Sequence, residues 1–245
     1  MWKNKTVSVV FPAYNEEENI HAAIRDFSQE YVDEIIVVDN NSTDKTREEA
    51  AKTNARIISE TRQGYGFALR KGLSEAKGDY IIMAEPDGTF SGMDMIKLLT
   101  YAEEVDMVQG SRTNRSFIWS GANMGFLIKW GNWAVGKAIE VLFNGTCLSD
   151  VGCTMRLIKK EALKKIDGQF TVGREIFLPE MTMLLVLNGL TYVELPLNYR
   201  KRIGQSKSTG KSLWIAAWVG LKMCALILKY RLTRKKTKSM VNSQL

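Results

Sequence analysis

YIIMAEPDGTF, residues 80–90, begins as a buried strand and ends in two acids that flank Pro86. Two carboxylates this close repel each other unless something positive lies between them. Oxygen ligands at a strand end suit a hard divalent cation such as Mg2+ or Mn2+, which binds through one or two carboxylates and completes its shell with substrate phosphates. Glu85 and Asp87 are therefore the candidate metal ligands, and a cation carrying a diphosphate would explain why they tolerate each other.

Upstream, strand and helix patterns alternate. TVSVVF (6–11) is β-branched and apolar, and EEENIHAAIRDF follows with helical spacing at Ile20, Ala23, Ile24 and Phe27. EIIVVD (34–39) reads as a second buried strand, after which Ser42 or Asp44 caps a helix through Ala51. ARIIS is a short strand, GYGFALRKGLSEA a helix with a glycine-rich entry, MDMIKLLTYAE another helix and DMVQGS another strand. This alternation predicts an α/β fold with a mostly parallel central sheet and helices on both faces. Ligands of such sheets bind at the carboxyl ends of the strands. Tyr14 and Glu16, Asp39, and Glu85 with Asp87 all fall there.

The second half changes character. FIWSGANMGFLIKWGNWAVGKAIEVLF, within 116–143, is glycine-dotted, tryptophan-rich and reads as helical. SDVGCTMRLIKKEAL, a helix near 179–187, a strand TYVELPL and a basic loop YRKRIGQSKSTG follow. LWIAAWVGLKMCALIL (213–228) is strongly apolar but shorter than the ~20 residues of a spanning helix, and Lys222 interrupts it. Lys211, Lys222 and Lys229 form one helical stripe, with Trp214, Trp218, Leu221 and Ala225 beside it. That pattern fits an amphipathic helix lying in a membrane interface with its lysines reaching headgroups, and equally an ordinary packed C-terminal helix.

The 245 residues, 45% of them hydrophobic, suffice for one large domain with an appendage. The net charge of +7 favours acidic partners, and much of the excess lies in KYRLTRKKTK from Lys229, either a solubilising tail or a tether to an anionic leaflet. Three cysteines without a CxxC point to a reducing compartment, and His21 as the single histidine argues against zinc clusters and histidine-based triads. The opening residues do not read as a signal peptide. A catalytically inert module that binds nucleic acid or membrane is disfavoured, because the strand-end acids would repel phosphate without an intervening cation. GYGFALRKG is not a GxGxxG fingerprint, which disfavours a dinucleotide oxidoreductase.

In this order, FPAYNEEENI, IIVVDNNSTDKT, GYGFALRKGLSEAKGDYIIMAEPDGTF, QGSR and SDVGCTMRL resemble the family-2 inverting glycosyltransferases. The later YRKRIGQSKST is most similar to the dolichyl- or polyprenyl-phosphate mannose (or glucose) synthases. The resemblance covers roughly residues 6 to 210. It implies the GT-A nucleotide-diphospho-sugar transferase fold over 1–210, with a nucleotide-sugar half (1–112) and an acceptor half (113–210), followed by a helix and basic tail (211–245) at a membrane surface.

The same resemblance assigns roles. Pro12, Ala13, Tyr14, Glu16 and Asp39 line the base and ribose of a GDP- or UDP-hexose, and Gly64 and Arg70 lie near the nucleotide. Glu85 and Asp87 match an acid-x-acid metal motif that usually holds two aspartates, so the glutamate is a departure. Arg200, Arg202 and Lys207 match the loop that closes over the phosphates, where positive charge stabilises the departing diphosphate. Arg112 and Lys129 sit where relatives hold an acceptor phosphate; arginine is more usual at the second point. Asp87, Asp150 and Arg202 are the expected catalytic residues. Asp150 acts as a base for a hydroxyl acceptor, orients metal or acceptor, or orders a turn; a phosphate acceptor needs no base. Glu175 and Glu180 are further acids near the acceptor. Five of the six tryptophans, Trp119, Trp130, Trp133, Trp214 and Trp218, fall in the two apolar segments, which fits a membrane-facing surface. The implied setting is peripheral, on the cytoplasmic face of a membrane, with a lipid-phosphate acceptor or, alternatively, a sugar or lipid hydroxyl. A membrane-protein partner or self-association is left open.

Overall fold

Seven strands form a single sheet in the order β3-β2-β1-β4-β6-β5-β7. They are β1 (Val7–Ala13), β2 (Glu34–Asp39), β3 (Arg56–Ser59), β4 (Tyr80–Met83), β5 (Met107–Ser111), β6 (Arg156–Lys159) and β7 (Tyr192–Pro196). The computed structural model describes residues 1–122, 125–143, 145–203 and 213–242, with the backbone alone for 126–128, 213–216 and 233–242. The helices are α1 (Ile20–Phe27), α2 (Thr46–Ala51), α3 (Tyr65–Glu75), α4 (Met95–Tyr101), α5 (Phe126–Phe143), α6 (Lys160–Ile166), α7 (Phe177–Leu187) and α8 (Leu213–Asn242).

The β-branched runs fold as covered strands because the sheet is buried on both faces. Side chains alternate between two cores. Val10, Ile36, Val38, Ile81 and Met83 point to the face carrying α3, α5, α6, α7 and α8. Val9, Phe11, Ile35, Val37 and Ile82 point to the opposite face, with α1 and α4. Gly72 lets α3 lie directly on the sheet: a Cβ there would come 2.3 Å from Val10 Cγ1.

β1, β2, β3 and β4 are parallel, in register Ala13 with Asp39 and Val10 with Met83, so their carboxyl ends share one edge. β6 is antiparallel to both β4 and β5. It is a strand that the sequence pattern does not announce, because RLIK runs straight into the α6 sequence. Its reversed direction delivers its N-terminal side, Thr154 and Arg156, to the C-terminal end of β4. The β5–β7 pairing, Ser111 opposite Pro196, brings the segment after β7 to the same edge.

The expected C-terminal helix is present as α8. Its inward residues Val219, Met223, Leu226 and Ile227 join the core beside α5 and α7. Trp218, Leu221, Leu228 and Leu232 face outward, each more than half exposed. No helix among the described residues is long and apolar enough to cross a membrane.

Candidate active site

At the carboxyl edge, the loops after β1 and β2 are laced together. Asn15 N–H donates to Ser42 Oγ, Glu16 N–H to Thr46 Oγ1 and Glu17 N–H to Asp44 Oδ2. Ser42 therefore braces the β1 loop instead of capping α2, which starts after Lys45 with Asp44 Oδ1 accepting from Thr46 N–H. Pro12 and Ala13 are buried at the end of β1, and Tyr14 is exposed above them. Asp39 ends β2, accepting from Ser42 N–H and facing Arg47 at 3.8 Å. Gly64 opens α3 at φ 152°, its N–H donating to Asn40 Oδ1; a Cβ there would meet Gly173 O at 2.6 Å.

Glu85 and Asp87 follow β4. Asp87 is almost wholly buried, and its Oδ1 accepts from Thr89 N–H at 3.0 Å and Thr89 O–H at 2.6 Å. Glu85 Oε1 accepts from Thr154 O–H at 2.6 Å, and Thr154 Oγ1 lies 2.6 Å from the Tyr65 hydroxyl. Burial, then the neighbouring Asp87 charge, pushes Glu85 up to about 7. Burial first and the Asp87 charge second thus leave Glu85 partly protonated near neutral pH.

Arg202 is the cation paired with Asp87, and it bridges to Glu16 instead of Glu85. Its Nη1 lies 3.0 Å from Asp87 Oδ2 and its Nη2 3.3 Å from Glu16 Oε1. The segment is fixed by backbone bonds, Arg200 N–H to Thr89 O and Ile203 N–H to Asp87 O, and Asn19 Nδ2 ties Glu16 Oε2 to Ile203 O. Arg200 turns its guanidinium over Trp119, 4.9 Å from the ring centre.

Across the edge, Arg112 and Asp150 form a two-pronged ion pair. Arg112 Nε donates to Oδ2 at 2.8 Å, Nη2 to Oδ1 at 2.9 Å, and the Arg112 backbone N–H also reaches Oδ2. Burial alone would raise Asp150, but the Arg112 charge and its hydrogen bonds overcome this and hold it below the usual range. Asp150 is fully buried, and both its oxygens accept hydrogen bonds from Arg112. Lys129 Nζ donates to Thr113 O at 3.1 Å, which brings the two acceptor-phosphate candidates side by side. Tyr199 lies between the groups: its ring centre is 5.7 Å from Arg112 Cζ, and burial raises its hydroxyl above the usual range.

Several expected residues are not brought to this cluster. Arg70 faces away, its Nη1 3.4 Å from Phe170 O and its guanidinium over the Phe170 ring. Glu180 is wholly buried in α7, accepting from Thr171 N–H, Val172 N–H and the Tyr230 hydroxyl, and so fastens α8 rather than an acceptor. Glu175 is exposed. Lys207 and Lys211 lie outside the described residues, as does the Trp214 side chain. Conversely, Asn19, Thr154 and Tyr199 belong to the cluster without having been singled out, and Tyr65, within the glycine-rich entry 64–66, belongs to it through its contact with Thr154. Thr154 and Tyr199 lie inside the SDVGCTMRL and YRKRIGQSKST region, the only signal that could have found them.

Seven buried side-chain atoms among the described residues lack a hydrogen-bond partner, and four belong here: Asn19 Oδ1, Arg200 Nε, Arg202 Nε and Asp87 Oδ2, the last held only by its ion pair with Arg202 Nη1. Unpaired buried polar atoms are costly, and both acceptors and donors are represented. Asp87 Oδ2 and the Glu85 carboxylate offer oxygen donors to a hard cation, and the arginines offer N–H groups to phosphate oxygens. The residues therefore fit Mg2+ or Mn2+ held with a diphosphate. No group of three or more His, Cys, Asp or Glu converges among the described residues, so such an ion takes its remaining ligands from elsewhere.

Comparison with known proteins agrees with this architecture. The family model "Glycosyl transferase family 2" matches residues 8–167. A curated relative, the low-salt glycan biosynthesis hexosyltransferase Agl6 of Haloferax volcanii, is 33% identical over 82% of this chain, which spans only 49% of that protein. The dolichyl-phosphate hexose transferase of the same organism is 28% identical over 82% of this chain and 86% of its own length. Among solved structures, glucosyl-3-phosphoglycerate synthase from Mycobacterium tuberculosis, in complex with Mn2+, UDP-glucose and glycerol 3-phosphate, superposes with a TM-score of 0.66. That match has 22% identity and covers 93% of this chain and 80% of the other. The shared fold is GT-A.

Proposed function

The chain belongs to glycosyl transferase family 2, and from that premise we propose that it moves a hexose from a nucleotide-diphosphate sugar to a polyprenyl-type lipid phosphate at the cytoplasmic face of a membrane. The observation that carries the reading is the buried Arg202–Asp87 ion pair at the carboxyl edge, with Arg200 Nε and Arg202 Nε lacking hydrogen-bond partners beside it, a set that matches a cation and the oxygens of a diphosphate. A bound Mg2+ or Mn2+ supplies charge neutralisation to the departing diphosphate. Asp87 and Glu85 hold that ion, and Arg202 turns from Asp87 and Glu16 to the phosphates, where charge develops as the sugar leaves. Pro12, Ala13, Tyr14, Glu16 and Asp39 line the nucleoside.

Arg112 uses Nε and Nη2 on Asp150, and its Nη1 has no hydrogen-bond partner among the described residues. With Lys129 it holds the acceptor phosphate. A phosphate oxygen attacks the anomeric carbon, a C–O bond forms with inversion, and the bond to the nucleoside diphosphate breaks. The nucleophile is already anionic, so no proton need be removed. The locked state of Asp150 favours this acceptor over a hydroxyl, which would need a base. The hexosyltransferase relatives, one of them named for dolichyl phosphate, support the substrate class, and the Mn2+–UDP complexes of the fold neighbours support metal and donor. The outward Trp130 and Trp133 of α5 and Trp218, Leu221 and Leu228 of α8 support contact with a lipid surface.

Radiolabelled UDP- and GDP-hexoses, offered with short-chain polyprenyl phosphate and Mn2+, test the proposal. Label recovered in an acid-labile lipid supports it. Transfer solely to glycan or hydroxyl acceptors removes it.

A further inference from the structure

Glu85 stands where the family's acid-x-acid pattern usually has the shorter aspartate. A glutamate brings an extra methylene and an extra free torsion, and ordering its side chain costs about 1.5–2 kcal/mol. Opposite Asp87 it would be repelled outward unless something held it. One buried group with no role in the transfer holds it, and two more, half-buried Tyr65 and buried Arg156, stand behind that group. Thr154, 1% exposed, has one hydroxyl hydrogen and gives it to Glu85 Oε1 at 2.6 Å. The Tyr65 hydroxyl, 2.6 Å from Thr154 Oγ1, is then the donor to that oxygen. The same carboxyl group also faces Asp87, the direction from which a shared cation would be bound.

Thr154 is itself fixed from behind by Arg156, which is fully buried and forms no ion pair among the described residues. Its Nη2 and Nε donate to Val151 O at 2.6 Å and Cys153 O at 2.7 Å, and its Nη1 to Thr182 Oγ1 and Leu178 O of α7. A buried cation spent on neutral carbonyls is an expensive way to shape a turn. The turn it shapes carries Asp150 at one end and Thr154 at the other. β6 runs antiparallel to β4, so this turn lies directly beside Glu85.

We propose that Thr154, braced by Tyr65 and Arg156, is the residue that positions Glu85 for a divalent cation and lets a glutamate serve in the acid pair. The proposal rests on reading that pair as a metal site. Thr154 is a positioning residue, acting through Glu85.

The test is Mn2+ affinity of the full-length chain by electron paramagnetic resonance, alone and with saturating UDP or GDP, beside the thermal midpoint of each variant. Removing a group that orients a metal ligand costs 10- to 100-fold in affinity. Thr154→Val, which keeps the shape and loses the hydroxyl, binds Mn2+ at least about 10-fold more weakly, whereas Thr154→Ser, which restores the hydroxyl, stays within about 3-fold of wild type. Tyr65→Phe falls between them and adds nothing on top of Thr154→Val, since both break one chain. A Thr154→Val protein that binds Mn2+ like wild type, or a Thr154→Ser protein as impaired as Thr154→Val, overturns the positioning role alone. Wild type that binds no Mn2+ in any arm overturns the metal reading itself, and this inference with it.

Discussion

Arg202 and Asp87 are joined by a 3.0 Å ion pair across 115 residues of sequence, at the point where a nucleotide sugar's diphosphate is proposed to lie. The same guanidinium reaches Glu16, so one arginine pairs with an acid from the β1 loop and one from the β4 loop. The donor-free chain therefore carries its own counter-ion. Were a cation and diphosphate to bind there, Asp87 would hold the ion and Arg202 would be freed to meet the phosphates.

This exchange gives Arg202→Ala opposite effects on two ligands. Without Arg202, Mn2+ alone meets less competition at Asp87 and binds as tightly as wild type or a few-fold more tightly. The nucleotide sugar loses a phosphate contact and binds more weakly, with turnover down by about 10²–10³. Calorimetric titration of each ligand separately checks it; equal weakening of both shows that Arg202 does not occupy the cation's place.

Glu85 predicts a pH-dependent stability. Its carboxyl is raised to about 7, from an ordinary value of 4.5, chiefly by burial. Between those values the folded chain keeps a proton that the unfolded chain has lost, so stability falls as pH climbs through the window and the penalty is complete above it. Glu85→Gln carries no such penalty, and its amide can still accept from Thr154 and donate to Asp87. In metal-free buffer the variant gains roughly 3 kcal/mol over wild type at pH 8, and little at pH 4, counting about 1.4 kcal/mol per pKa unit. Denaturant melts at the two pH values decide; a gain independent of pH contradicts the retained proton.

For Asp150, the fork to Arg112 predicts a partner's behaviour, not a base's. Asp150→Asn leaves the Arg112 charge poorly matched and destabilises the fold by about 3–5 kcal/mol, while replacing both residues by apolar side chains costs less than the worse single change. In the variants that fold, KM for the acceptor rises more than kcat falls, and the acidic limb of the pH–rate profile stays where it was. Loss of that limb would instead show Asp150 taking a proton.

How far the sequence revealed these features depends on the kind of residue. The covered strands were legible because Val7–Ala13, Glu34–Asp39 and Tyr80–Met83 carry β-branched and apolar runs bounded by polar strand ends. β6 was not, since Arg156–Lys159 is four residues long and has no turn signal before α6. The acid pair could be read because two carboxylates flank one proline. Whether Asp150 is free or paired could not: an acid at a turn looks the same in either state, and its partner lies 38 residues away. Thr154 was invisible for the same reason, being an unremarkable polar residue until β6 reverses beside β4. Arg70 misled because matching a helix start says nothing of the face on which a side chain leaves it.

The outward apolar residues make a separable prediction about lipid. Trp218 and Leu221 are 58% and 61% exposed, so replacing both by serine removes little packing and leaves the thermal midpoint within a degree or two of wild type. Co-sedimentation with anionic vesicles falls several-fold. Unchanged sedimentation, with folding intact, removes α8 from the lipid contact.

The central claim is that Asp87 and Glu85 receive a divalent cation together with the donor's diphosphate. Anomalous scattering from a crystal grown with Mn2+ and UDP-glucose or GDP-mannose tests it most directly. The account predicts a manganese peak bonded to Asp87, bridged to both donor phosphates, with Arg202 withdrawn from the carboxylate. Donor phosphates remote from residues 85–87, or a manganese peak elsewhere while Arg202 still pairs with Asp87, would contradict it.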